Sequence, residues 1–347
     1  MVCELLAAST EPSLRAMGGA MWMPTAPPTA LNLFALHLQP VPLFPAFAVI
    51  LLVGYLFGVF WLRRRGDRWP ISRIVWWVAG VATLLLMTAT GIDGYGMELF
   101  SVHMLQHMVI NMLIPILLVL GAPITLLLRA LPARHGSGRS ARAMILRVLH
   151  SAPARLVTHP VVALLLFLVS LYALYFTPAF DYLMGTMWGH NLMLAHFLAI
   201  GCLYFWGVVG VDPSPRNSGR GLHQLSKPAL RVIELAATVP FHAFFGVVVM
   251  MSTVLIVRSY AGTMPGWNIT PLGDQQVGGG IAWGFTELPT LVVLGVLFWQ
   301  WQKADSRQSR VADRKAARNG DAELNDYNAQ LAALAARDQT GTRPVGR

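Results

Sequence analysis

The 347-residue chain is 55% hydrophobic and only 12% charged, well below the roughly 25% charged share of a soluble domain, which excludes an ordinary water-soluble fold. Its formal net charge of +10 would suit nucleic acid, but the basic residues sit in short segments between apolar runs and in the C-terminal tail, the pattern that encodes membrane topology. The two cysteines, Cys3 and Cys202, have no pairing logic, which excludes a disulfide framework and a Cys-x-x-Cys metal or redox motif.

Residues 1–40 read as an extracytoplasmic segment. Leu5 to Ala8 is too short an apolar core for a signal peptide, and no basic stretch precedes it; Met17, Met21 and Met23 are candidate start positions. From 41 to 302 the chain predicts an all-α, polytopic helix bundle. Its seven membrane-spanning segments lie near 43–62, 74–91, 102–128, 160–178, 189–211, 230–257 and 280–302, each near the ~20 residues that a hydrocarbon layer requires. Pro115 and Pro240 fall inside the two longest, where a missing backbone donor bends a helix.

Arg63, Arg64, Arg65, Arg68 and Arg73 lie between spans one and two, Arg129 to Arg155 between three and four, and Arg216 to Arg231 between five and six. The opposite side carries Asp93, Glu98, Asp181 and Asp274, with Arg15 and Arg258 as its basic residues. The positive-inside rule then places the N-terminus outside and the C-terminus in the cytoplasm. The charged tail, 303–347, spaces Leu324, Tyr327, Leu331 and Leu334 at helical intervals, predicting a short amphipathic helix over 322–337.

Span three carries a polar stripe. His103, Gln106, His107 and Asn111 fall at i, i+3, i+4 and i+8, on one helical face, with Met104, Met108 and Met112 in the adjoining row. Polar groups in hydrocarbon must find protein, ligand or cavity partners. On span five, His190, Met193 and His196 step at i, i+3, i+6. Topology puts both sets in the outer half of the membrane, with His107, His196 and Glu287 of span seven at similar depth, roughly 10 Å below the surface at 1.5 Å per residue. His242, just after Pro240, lies nearer the midplane.

Imidazole and thioether together are a ligand set for copper, and thioether favours Cu(I). A single methionine is more often packing material, whereas intramembrane ionisable groups are functional candidates by default. His103-x-x-x-His107 is not a zinc-protease site, because Met104 stands where the general-base Glu is needed. Span seven has no lysine for a retinal Schiff base. Gly278-Gly279-Gly280 has no following Lys-Ser/Thr, so it reads as a flexible lead-in or a close-packing site.

With these residues in view, the chain resembles the CtaG family of bacterial cytochrome c oxidase assembly proteins, in its actinobacterial-like branch. The matching segments are His103-Met-Leu-Gln-His107-Met with Leu120-Gly-Ala-Pro-Ile-Thr125; Ser170-Leu-Tyr-Ala-Leu-Tyr-Phe-Thr-Pro178; and His190 through His196 to Tyr204-Phe-Trp206 and Asp212-Pro213. Further on come Pro240-Phe-His-Ala-Phe-Phe-Gly246 and Asp274-Gln-Gln through Gly278 to Glu287-Leu-Pro289. Their order and spacing from about residue 40 into the tail carry the resemblance. Some relatives have a copper-resistance-type membrane domain in front, which this chain is expected to lack.

The resemblance implies a multi-pass plasma-membrane protein that matures a haem-copper oxidase, partnered by cytochrome c oxidase subunits and assisting copper supply or insertion. The expectation is a non-enzymatic factor in which His103, His107, His190 and His196 line an outer pocket holding Cu(I) transiently, received from an extracytoplasmic copper chaperone. Met104, Met108 and Met193 are soft auxiliary ligands. Gln106, Asn111, His242 and Glu287 are supporting groups, Glu287 orienting an imidazole as carboxylates do around metals. The alternative is a haem-binding redox protein, with His103 or His107 opposite His190 or His196 as axial ligands. A shared metal requires ring nitrogens within about 4–5 Å of one another; scattered histidines would be helix-to-helix hydrogen bonds instead.

Overall fold

Inside hydrocarbon every backbone N–H and C=O must pair within the chain, so long apolar runs become helices. The computed structural model describes residues 21–132, 140–215, 227–262, 266–318 and 322–341. A short helix α1 (Ala30–Phe34), capped by Thr29, precedes α2 (Leu43–Arg64) and α3 (Ile71–Thr88). Helix α4 (Gly91–Glu98) leads into a compound helix. This comprises α5 (Phe100–Met108), a π-helical turn at Val109–Leu113, α6 (Ile114–Leu120) and α7 (Pro123–Ala130). There follow α8 (Ala141–Leu149), α9 (Ala152–Val157), α10 (Pro160–Tyr175), α11 (Ala179–Met184), α12 (Met187–Val209) and α13 (Lys227–Met251). A 3-10 turn at Arg258–Tyr260 precedes α14 (Pro271–Arg318) and α15 (Ala322–Gly341).

Six helices are long and apolar enough to cross a membrane: Leu43–Arg64, Ile71–Thr88, Phe100–Ala130, Met187–Val209, Leu230–Met251 and Pro271–Phe298. The fourth expected span forms as α10, a 16-residue apolar helix. At 1.5 Å per residue it covers about 24 Å, less than the ~30 Å hydrocarbon core. The last span begins at Pro271, ahead of the expected 280, because the Gly278–Gly280 run is helical and lies inside it. Among the described residues there is no β-strand, and one isolated antiparallel bridge joins Leu36 and Thr90.

Phe100–Ala130 is the central element: 72% of its most apolar window is buried, against 20–50% for the other five. Its polar stripe therefore faces protein. Pro115 explains the π-helical turn, since it offers no N–H to the Asn111 carbonyl four residues back and its ring crowds that carbonyl. The chain widens by one residue, with Ile114 N bonding Val109 O. Helix α12 meets this turn at Gly201, where a Cβ would fall 2.7 Å from Pro115 Cγ.

Three carboxylates tie helix starts and turns to one another. Asp212 accepts from Ile124 N (3.0 Å), Thr125 N (2.8 Å) and the Thr125 hydroxyl (2.5 Å), satisfying the start of α7 after the left-handed Ala122 (φ 53°). Asp274, in the first turn of α14, accepts from Ser101 N at 3.3 Å and from the Ser101 hydroxyl. Asp181 accepts from Ser259 N at 2.8 Å and the Ser259 hydroxyl at 2.6 Å. Three segments of the family resemblance, around Gly121, Asp212 and Asp274, thus act as structural joints.

Helices α13 and α14 touch backbone to backbone, where a Cβ on Gly279 or on Gly246 would lie 2.9 Å from the other's carbonyl oxygen. The glycine run is a close-packing site. Gly279→Leu is expected to cost roughly 3 kcal/mol or more, at the upper end of overpacking penalties, because backbone cannot step aside as a side chain does. A lowered midpoint for thermal unfolding of the detergent-solubilised protein reads this out; an unchanged midpoint would mean the two helices do not meet there.

By its internal contacts the chain divides after Gly295 into two compact units. The second consists of the end of α14 together with α15, which forms over the segment expected to be an amphipathic helix and leaves Tyr327, Leu331 and Leu334 exposed.

Candidate functional site

Helix α5 sets out the site. Its first two turns carry His103, Gln106 and His107, all fully buried, beside equally buried Met104 and Met108. The stripe divides between two neighbourhoods. Gln106 turns toward α3 and α4, where its Nε2 donates to Met87 O and to Asp93 Oδ1, both at 2.8 Å. His103 and His107 turn toward α10, where the hydroxyl of Tyr175 sits between them, 3.1 Å from His103 Nε2 and 2.6 Å from His107 Nδ1.

His190, in the first turn of α12, completes the group. Its ring centre lies 6.1 Å from that of His103, while His103 and His107 stand 6.2 Å apart. Aromatic rings close around His103: Phe180 at 5.1 Å, Tyr175 at 6.2 Å and Tyr260 at 6.1 Å, centre to centre. His107 packs on Phe197 at 3.4 Å. The Asp181–Ser259 joint holds Tyr260 in place, and the Tyr260 hydroxyl donates to Gly96 O at 2.8 Å. Burial, with nearby carboxylates, pushes the Tyr260 phenol well above its usual range, so it is an uncharged wall.

Three imidazole nitrogens in this cluster are buried without a hydrogen-bond partner: His103 Nδ1, His107 Nε2 and His190 Nε2. Most buried polar atoms in proteins are paired, and each unpaired one costs about 1–3 kcal/mol. Three of the unpaired atoms lie in this one cluster.

The remaining expected residues divide. Met193 is buried on α12. His196 is exposed on the far side of the same helix, its Nε2 2.5 Å from Ser170 Oγ, so the four-histidine pocket is not assembled. The reason is helical arithmetic, because residues i and i+6 point about 120° apart. Asn111 is buried in the π-helical turn with Oδ1 unpaired. His242 is buried against Phe167 at 5.0 Å, and neither is a ring neighbour of His103. Glu287 lies on α14, its side chain outside the described residues. Among the described residues, no group of three or more His, Cys, Asp or Glu is gathered closely enough to hold a metal ion.

Two site residues carried no signal that spacing analysis could use. Tyr175 lies within Ser170–Pro178 but belongs to no metal-ligand pattern, and a tyrosine in an apolar helix reads as packing. Asp93 sat among loop acids; burial alone distinguishes it, at 5% exposure.

Comparison with known proteins places this arrangement. Uncharacterised proteins of Mycobacterium bovis and Mycobacterium tuberculosis are each 43% identical over 293 residues, and one of Mycobacterium leprae is 41% identical over 292. Each match covers 83% of this chain and 43% of the relative, so the chain spans less than half the length of these proteins. No solved structure matches significantly. The family described as cytochrome c oxidase caa3 assembly factor matches residues 53–304, from α2 into α14 and across the whole histidine cluster. The chain belongs to the CtaG family of cytochrome c oxidase caa3 assembly factors.

Proposed function

We propose that this chain is a non-enzymatic plasma-membrane protein that helps mature a haem-copper cytochrome c oxidase by holding Cu(I) transiently at the His103, His107 and His190 cluster. The family supplies the process, and the cluster supplies the chemistry. The observation that carries the copper step is the trio of buried, unpaired imidazole nitrogens. Two imidazoles sharing a metal at about 2 Å per bond hold their nitrogens about 4 Å and their ring centres about 6 Å apart; the His103 and His190 rings stand at 6.1 Å. Few ligands suit a cargo that must be released, and Cu(I) accepts few. Met104, Met108 and Met193, all buried on the same helices, offer soft sulfur to such an ion.

The positive-inside rule puts this end of the bundle outside the cell, since Asp93, Asp181 and Asp274 lie there while the arginine-rich connections lie opposite. Copper would then arrive from an extracytoplasmic chaperone and leave to oxidase subunits in the same membrane. Purified protein loaded anaerobically with Cu(I) is expected to retain the ion, and the His103→Ala/His190→Ala double variant to lose it. His196→Ala serves as a control that retains copper. Equal retention by wild type and double variant would refute the ligand assignment. The haem reading fits less well, because a macrocycle would have to displace Phe180 and Tyr260 from around His103. A colourless preparation with no haem band on reduction removes it.

A further inference from the structure

A groove enclosing about 810 Å³ runs along the flank of the bundle, apart from the histidine cluster. Helices α2 and α12 wall it through Phe47 and Leu192, both exposed, while Trp77 of α3 and Leu118 of α6 form a buried floor. The lining is apolar except for Asn191 and Asp212, and the Asp212 carboxylate is already taken by the start of α7. On α12 the lining residues run from Trp188 to Trp206. Those 18 residues cover about 27 Å at 1.5 Å per residue, close to the ~30 Å depth of a hydrocarbon core. The groove therefore follows the membrane from one face to the other.

Its depth and shape select the occupant. The chains of one phospholipid reach only the midplane from their own leaflet, about half of that depth. A second copy of this chain meeting it by the same surface would set one concave face against another, and such faces are not self-complementary. A membrane-spanning helix matches the full depth. Ala195 and Ala199, exposed on the α12 wall one turn apart, have the small-xxx-small spacing that lets membrane helices approach closely. We propose that the groove takes a membrane-spanning helix of another protein, a subunit of the oxidase that this chain helps to mature. The identity of that partner rests on the oxidase-maturation reading above.

The groove shares its elements with the histidine cluster. Asn191, which lines it, follows His190 on α12, and the compound helix that supplies Leu118 also carries His103. A docked subunit would thus lie against both helices that hold the proposed copper ligands.

The contact is read by photo-crosslinking. p-Benzoylphenylalanine is placed at Phe47 in the full chain and, as a control, at Phe57, which is exposed on α2 outside the groove. The cells carry the membrane-spanning subunits of the oxidase, each epitope-tagged in turn. Irradiation is expected to join a tagged subunit to position 47 and not to position 57. The Ala195→Leu/Ala199→Leu variant adds apolar bulk to the groove wall and should cut co-purification of that subunit about ten-fold or more, the scale of an overpacked contact. Its Cu(I) binding after purification should be unchanged. The crosslink needs no such bulk, so it decides even if the double variant accumulates poorly. Adducts from position 47 with phospholipid alone, or with a second copy of this chain, overturn the proposal. So does equal crosslinking from both positions, or undiminished co-purification by the double variant. Wild type that binds no Cu(I) yet crosslinks at position 47 sinks the copper reading and supports docking, whereas Cu(I) binding without the crosslink does the reverse.

Discussion

Replacing His190 with leucine is expected to abolish Cu(I) retention and oxidase maturation while leaving the fold as stable as wild type, or slightly more so. The argument turns on an asymmetry in hydrogen bonding. A buried polar atom that is paired loses about 1–3 kcal/mol when its partner goes, but one that was never paired already carries that penalty, and an apolar replacement of similar size relieves it. His190 Nε2 is buried and unpaired, and the residue is 1% exposed. The His190→Leu variant would trade that orphan for ordinary contacts among Phe180, Met187 and Met193, which are buried on the neighbouring stretch of chain. Removing a ligating nitrogen should lower metal affinity by more than the ~10–100-fold that accompanies loss of an outer partner.

The pair of measurements separates function from structure. In cells, the variant should accumulate normally in the membrane, with the copper-dependent oxidase spectrum and activity lost. In detergent, its unfolding midpoint should match or exceed that of wild type. A histidine retained only for helix packing predicts the reverse: lower stability, with oxidase maturation falling only as far as protein level falls. That reversal would return the cluster to a structural role.

What was legible in the sequence followed from long-range hydropathy. Helices α2, α3 and α12 lie within a few residues of the runs that announced them, because a lipid-crossing helix needs nothing more than length and apolarity. The polar stripe on α5 was legible for a related reason: an unpaired polar group cannot face lipid, so period alone put it inside. Three features were not legible. The glycine run Gly278–Gly280 reads equally as a flexible lead-in or a close-packing site, and only the approach of Gly246 decides for the second and places it within the helix. His196 shares a span with His190 but not a face, a distinction that depth alone misses and rotation supplies. Tyr175 lies on another helix and meets His103 and His107 only through packing, so no spacing within one segment could expose the bridge. The site is therefore half visible in sequence: the ligand types are local, and the choice among them is tertiary.

Gly201→Leu is expected to damage the fold severely, and its effect should reach the site. Gly201 faces the Asn111–Pro115 stretch, where the helix has already widened to accommodate proline. A Cβ there would lie 2.7 Å from Pro115 Cγ and 3.0 Å from the Asn111 carbonyl carbon. Neither neighbour is the tip of a movable chain. One is a ring locked to the backbone and the other is the backbone itself, so the strain can be relieved only by moving α12 away from the compound helix. Even Gly201→Ala should cost about 3 kcal/mol, the upper part of the overpacking range, and leucine should cost more. Because α12 carries His190 and the compound helix carries His103, separating them opens the 6.1 Å spacing on which a shared ion depends. Gly201→Ala should therefore fold less stably and bind Cu(I) more weakly, though every proposed ligand is present. A conservative change at a neighbouring lipid-facing position, Leu192→Ile, should do neither, since Leu192 is 62% exposed. Undiminished copper binding in a destabilised Gly201→Ala protein would show that the His103–His190 geometry does not depend on this contact.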